Sequence, residues 1–175
     1  SHFASKKTRM YVLSSVDLES WQLEKTVHLY NDLREPRFVV YNGTLYFYYF
    51  EGGKKPWRFE PKHLYMSFKT ASGDWKEDVK TSLDGYIPWR LKVQNGLLYL
   101  SAYFGENAYN NESVDLRLFT SVNGLDFEPI SKQPQILHEK GIGEGEFLFD
   151  KEGNIWGVAR SEFDGSHTFY ANKDS

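Results

Sequence analysis

Arg37-Phe-Val-Val-Tyr-Asn-Gly43-Thr-Leu-Tyr-Phe-Tyr-Tyr-Phe50 is an apolar run, a tight turn and an aromatic alternating run. Asn-Gly between two such runs is a strong hairpin signal, because both turn positions need positive φ. The pattern returns twice. Arg90-Leu-Lys-Val-Gln-Asn-Gly96 leads into Leu-Leu-Tyr-Leu-Ser-Ala-Tyr-Phe104, and Phe147-Leu-Phe-Asp-Lys-Glu-Gly153 leads into Asn-Ile-Trp-Gly-Val-Ala-Arg160. Gly43, Gly96 and Gly153 recur at intervals of 53 and 57 residues, a period that points to repeated supersecondary units.

A second element alternates with the hairpins. Ser15-Val-Asp17-Leu-Glu-Ser-Trp21 and Ser121-Val-Asn123-Gly-Leu-Asp-Phe127 share the order Ser-x-Asp/Asn-x-x-x-aromatic, with a looser copy over Ser67 to Trp75. The polar side chains can bond the turn backbone while the aromatic residue plugs the layer between sheets. A unit of about 50 residues with four strands and one aromatic plug has the form of a β-propeller blade. The third strand of each unit is legible as Arg9–Leu13, His63–Phe68, Asp115–Phe119 and Thr168–Ala171. The chain therefore reads as all-β: one partial β-propeller domain over residues 1–175, of four-stranded antiparallel blades. Its blade parts are 9–30, 34–80, 86–131 and 142–172, and Ser131 to Lys140, with Pro134, reads as a connection. Closing such a ring with six blades takes roughly 300 residues. The expectation is a piece of a longer protein, with the remaining blades as its partner, or else two copies joined in one ring or a solenoid-like stack.

Composition agrees and excludes other classes. Thirteen Phe, twelve Tyr and five Trp make the chain 17% aromatic, against two Met, which favours strands over a helical bundle. No apolar run approaches the ~18–20 residues of a membrane helix. With no cysteine, disulfides, thiolate metal sites and Cys nucleophiles drop out. A net charge of -3 gives no electrostatic footprint for nucleic acid. The basic cluster Lys54, Lys55, Arg58 and Lys62 reads as a solvated loop, and the five histidines lack metal-ligand spacing. No metal or cofactor is expected. The compartment stays open.

In a propeller the starts of the innermost strands converge on the channel where ligands bind. Nine residues before the turn glycine stand Arg34 in the first hairpin and Glu144 in the third; Arg90, beside Trp89, stands six before Gly96, and Arg160 seven after Gly153. The run from Glu144 through Gly153 to Arg160 resembles a sialidase motif, Leu33-Arg34-Glu-Pro36 resembles the Arg-x-Pro motif that opens a sialidase's first site strand, and the Ser-x-Asp/Asn turns resemble Asp-box repeats. Pro88-Trp89-Arg90 is similar to a segment of uncharacterised sialidase-like propellers.

The resemblance implies a glycoside hydrolase. Arg34 and Arg160 would be two of three arginines that clamp a sugar carboxylate, and Glu144 the partner of a tyrosine nucleophile. Arg90 and Trp89 complete the expected substrate-binding set, with Trp89 a sugar platform or an inter-blade plug. The expected partner is an anionic or polyhydroxylated carbohydrate. The third arginine and the nucleophile do not appear, and the region of the family's acid/base Asp holds Glu51 and Glu60 instead. Two further readings remain open: a non-catalytic carbohydrate-binding or protein-interaction propeller, and a furanosidase-type propeller that works through paired carboxylates.

Overall fold

The computed structural model describes residues 5–55, 59–104, 112–131 and 136–162, and the backbone of 165–171. Among the described residues, fourteen strands form four antiparallel sheets in chain order. The first pairs β1 (Met10–Ser14) with β2 (Gln22–Val27). The second runs β3 (Asp32–Tyr41), β4 (Thr44–Gly53), β5 (His63–Lys69), β6 (Val79–Asp84). The third runs β7 (Tyr86–Gln94), β8 (Leu97–Phe104), β9 (Ser113–Ser121), whose outer edge carries both β10 (Glu128–Pro129) and β11 (Leu137–Lys140). The fourth runs β12 (Ile142–Phe149), β13 (Ile155–Ser161), β14 (Gly165–Ala171).

Both Asn-Gly hairpins form as expected, with φ of 47° and 74° at Asn42 and Gly43 and 49° and 74° at Asn95 and Gly96. One expectation changes. Leu137 to Lys140 is not a connection but a strand that pairs with Ser113 to Leu116 and gives that edge of β9 its hydrogen bonds.

Each sheet packs its face on the next. Tyr48 and Phe50 of β4 are fully buried, and the Tyr48 hydroxyl donates to the Gly124 carbonyl of the third sheet at 2.8 Å. Burial pushes that phenol's pKa far up, so it stays a neutral donor. Gly124 is required there: its φ is 77°, and a Cβ would lie 2.7 Å from the Tyr48 oxygen. Between the third and fourth sheets, Ser101 donates to the Gly145 carbonyl and Tyr99 packs edge-on to Phe149 at 4.8 Å. Val12, Val27, Leu33, Phe47 and Tyr49 fill the contact of the first two sheets. Burying side chains of this size supplies about 1.5–3 kcal/mol each.

The two Ser-x-Asp/Asn turns are built alike. Ser15 Oγ accepts from Leu18 N at 2.8 Å, and Asp17 Oδ1 from Glu19 N and Ser20 N at 2.9 and 2.8 Å. Ser121 Oγ accepts from Gly124 N at 2.9 Å, and Asn123 Oδ1 from Leu125 N and Asp126 N, both at 2.9 Å. The backbone bonds from Ser20 and Glu19 hold the Asp17 carboxyl well below its usual range. The looser middle copy is a different turn: Ser67 lies within β5, and Thr70 to Asp74 make the reversal.

Their aromatic residues meet different fates. Phe127 is 6% exposed and packs on Tyr48 of the preceding sheet, whereas Trp21 is 59% exposed. Trp75 packs edge-on to Phe47 beside the first sheet. Trp21 is thus no plug within the described residues: Phe127 packs on the sheet before its own, and among the described residues no sheet precedes the first.

Candidate active site

The first strands of the second, third and fourth sheets, β3, β7 and β12, each break register near their starts. Glu35 and Pro36 together oppose Tyr49, Trp89 is an extra residue between Pro88 and Arg90, and Glu144 and Gly145 together oppose Ala159. Glu35 and Glu144 both sit in the left-handed region, at φ 50° and 55°. Such a conformation costs a non-glycine residue about 1 kcal/mol and clusters at functional sites. A bulge also re-aims the side chain it carries.

This register corrects one sequence expectation. Arg34 pairs with Phe50 and Gly143 with Arg160, so the counterpart of Arg34 is Gly143 and the counterpart of Glu144 is Glu35. Counting nine residues back from each glycine fails because the third turn is longer. Tyr41 pairs with Thr44 across two residues, whereas Asp150 N bonds the Asn154 carbonyl across three.

Glu144 is gripped from the neighbouring strand. Arg160 Nε donates to its Oε2 at 2.5 Å and Nη2 to its Oε1 at 2.9 Å, a two-point fork. These bonds raise the guanidinium's pKa further, and Glu162 lies 3.4 Å away as a second anion. Glu35 is gripped from its own strand: Arg37 Nη2 donates to its Oε2 at 2.7 Å.

Arg34 donates Nε to Asp32 Oδ2 at 2.5 Å and lies 4.7 Å from the Phe59 ring centroid. Asp32 is buried, and its other oxygen takes Ser5 N at 3.3 Å and Thr8 Oγ1 at 3.1 Å. Arg90 donates Nε to Glu146 at 2.5 Å. Lys92 joins Glu146 at 2.8 Å. Burial works against the Glu146 charge, but the bonds from Lys92 and Arg90 outweigh it and hold its carboxyl below the usual range. Trp89 packs against the main core, with the guanidinium carbons of Arg37 and Arg90 at 5.3 and 5.1 Å from its ring.

Of the expected site residues, Glu144 meets Arg160 and Arg90 adjoins Trp89, while Arg34 is held by Asp32 on its own strand. Sequence reasoning missed Glu35, Arg37 and Asp32. Allowance for the longer third turn would have aligned Glu35 with Glu144. Among the described residues no cluster of three or more His, Cys, Asp or Glu is placed to hold a metal ion.

No family model matches this chain, and no curated protein matches it. Solved structures do. A protein of unknown function from Dyadobacter fermentans superposes over 99% of this chain and 57% of its own, with a TM-score of 0.73 and 13% identity. A family 117 glycoside hydrolase from Zobellia galactanivorans matches over 92% of this chain and 51% of its own, with a TM-score of 0.54 and 16% identity. An endo-1,4-beta-xylanase from Bacteroides thetaiotaomicron matches over 93% of this chain and 66% of its own, with a TM-score of 0.53 and 15% identity. At these identities the likeness is one of fold. The two glycoside hydrolases are β-propellers, so the likeness is to glycoside-hydrolase propellers rather than to sialidases in particular. This chain spans about half to two thirds of their lengths.

Proposed function

We propose that this chain is part of a β-propeller glycoside hydrolase that acts on a neutral, polyhydroxylated sugar through the carboxylates of Glu35 and Glu144. The observation that carries the reading is the pair of matching bulges: two glutamates in left-handed backbone at corresponding places on two innermost strands. Most glycosidases need two carboxyl groups flanking the scissile bond, one to protonate the leaving oxygen and one to attack or to activate water. The paired-carboxylate reading accounts for a second glutamate that the sialidase reading does not use.

Charge matching supports a neutral substrate. Among the described residues, Arg34, Arg37, Arg90 and Arg160 each donate to a carboxylate, those of Asp32, Glu35, Glu146 and Glu144. A sugar acid would have to compete for guanidinium groups whose charge a carboxylate already balances. Hydroxyl groups can instead share the outward lone pairs of the same carboxylates. The neighbour named as a xylanase puts pentosyl units first among the candidates.

Further sheets of the same repeat, in a longer chain or a second copy, complete the ring in this reading. Leu148, Trp156 and Val158 expose an outer face on the fourth sheet, and their register counterparts Val39, Tyr46 and Tyr48 are covered by the third. Trp21 exposes the corresponding plug at the other end.

The test is a panel of neutral pentosyl and hexosyl glycosides beside sialosides and uronides, assayed for binding and for turnover with the intact protein. Turnover of a neutral glycoside that Glu35→Gln and Glu144→Gln each abolish supports the reading. Turnover of sialosides alone, or full activity in either variant, overturns it. A second reading, a sugar-binding propeller without chemistry, is favoured by the engagement of both carboxylates with guanidinium groups. Binding of neutral glycans without turnover would select it.

A further inference from the structure

Arg37, Arg90 and Glu146 occupy one register position on three successive innermost strands, opposite Tyr48, Ser101 and Val158. Each lies just after its bulge. Together they form a belt of hydrogen bonds. Arg37 Nη2 holds Glu35 at 2.7 Å, and its Nε donates to the Trp89 carbonyl of the third sheet at 2.6 Å. Arg90 Nη1 donates to that same carbonyl at 3.1 Å and its Nε reaches Glu146 of the fourth sheet at 2.5 Å. Glu146 Oε1 in turn accepts from the Phe147 amide at 3.0 Å and pairs with Lys92 at 2.8 Å.

The guanidinium of Arg37 is used on every edge. Its Nη1 donates to the Pro36 carbonyl at 2.9 Å, so three nitrogens fix one plane against the bulge of its own strand and the bulge of the next. A planar fork with three fixed acceptors has little freedom left, and the carboxylate on its remaining corner inherits that order. Glu35 is otherwise a side chain of three rotatable bonds on a strained backbone.

Resting on the carboxylate reading above, we propose that Arg37 is a positioning residue: it orients the Glu35 carboxylate and takes its own position from the Trp89 carbonyl of the next sheet. The geometry of one reacting group is then set by the docking of two sheets. A lysine cannot replace it, because an ammonium on a flexible stem does not hold Glu35, Pro36 and Trp89 in one plane.

The test compares Arg37→Gln and Arg37→Lys with Lys92→Met, which removes a contact of the same belt without touching Glu35. With glutamate carboxyl carbons labelled by ¹³C, the Glu35 resonance is expected to move in both Arg37 variants and to stay in place in Lys92→Met. On whichever glycoside the protein turns over, kcat is expected to fall about 10–100-fold in both Arg37 variants with KM within about twofold, the cost of a small misplacement. Lys92→Met is expected to lower the melting temperature while leaving kcat within about twofold. If Arg37→Gln fails to fold, Arg37→Lys carries the comparison. An unmoved Glu35 resonance in a folded Arg37 variant, or full kcat in Arg37→Lys, overturns the proposal. Full activity of Glu35→Gln would instead defeat the carboxylate reading, and the resonance decides the positioning role even without turnover.

Discussion

Strands β3 and β12 use one backbone device and dress it differently. Both place a glutamate at φ near 50° in a bulge with two residues against one, but Pro36 follows Glu35 and Gly145 follows Glu144. Glu35 is held by an arginine on its own strand, and that arginine is tied to the neighbouring sheet. Glu144 is held by Arg160 across the hairpin, and Arg160 is half exposed. The contrast separates two tasks. The bulge aims the carboxylate, while the partner decides how far its orientation depends on the rest of the fold.

The strongest way to break the comparison is to remove both carboxylates in turn. If the bulges serve one reaction, Glu35→Gln and Glu144→Gln each lower turnover of a neutral glycoside by about 10²–10⁴-fold, with unchanged circular dichroism. A large effect at one position alone would mean that the likeness of the bulges is only structural.

Partner removal sharpens the contrast. Arg160→Met is expected to lower sugar affinity or turnover with a stability change under about 1 kcal/mol, because the exposed pair is well solvated. Arg37→Gln should cost stability as well, since it breaks an inter-sheet bond; chemical denaturation of the two variants side by side measures the difference.

The residue after each glutamate gives a smaller effect. Gly145→Ala would bring a Cβ within 2.9 Å of two Leu116 methyl groups. Overpacking of this kind costs about 1–3 kcal/mol, readable as a lower melting temperature. Pro36→Ala, at the corresponding place on β3, should change stability by less than this.

Acid supplies the mildest perturbation, and it acts away from both bulges. Lys69 and Ser14 hold the half-buried Glu24 carboxyl at about 2, against 4.5 ordinarily, where the second sheet meets the first. A depressed pKa adds stability above the ordinary value and loses it as pH falls through the folded one. Docking of the first sheet should therefore loosen between about pH 4.5 and 2, seen as faster amide exchange in β1 and β2, while Lys69→Met flattens that dependence.

Much of the architecture was legible in the chain because its causes are local. Asn42-Gly43 and Asn95-Gly96 satisfy the turn's need for positive φ by themselves, and Ser15, Asp17, Ser121 and Asn123 bond only their own turns. What a side chain meets across sheets was not legible. Trp21 and Phe127 end equivalent turns, yet one is exposed and the other buried, because burial depends on which sheet lies opposite. The site was half legible for a related reason. Glu144, Arg160 and Arg90 stood out by spacing, but one extra residue in the third turn displaced the alignment and hid Glu35 behind Arg34. Arg90, read as a sugar contact, and Trp89, read as a sugar platform or an inter-blade plug, meet each other, and Arg90 bonds Glu146 in the inter-sheet belt.

The most direct test of the account is a crystal structure of the Glu144→Gln variant with a neutral oligosaccharide bound. The paired-bulge account predicts one sugar linkage in hydrogen-bond reach of both Glu35 and position 144, with the Arg37–Glu35 pair intact. A sugar bound away from both positions, or one that displaces Arg160 to reach it through an acid group, would contradict it.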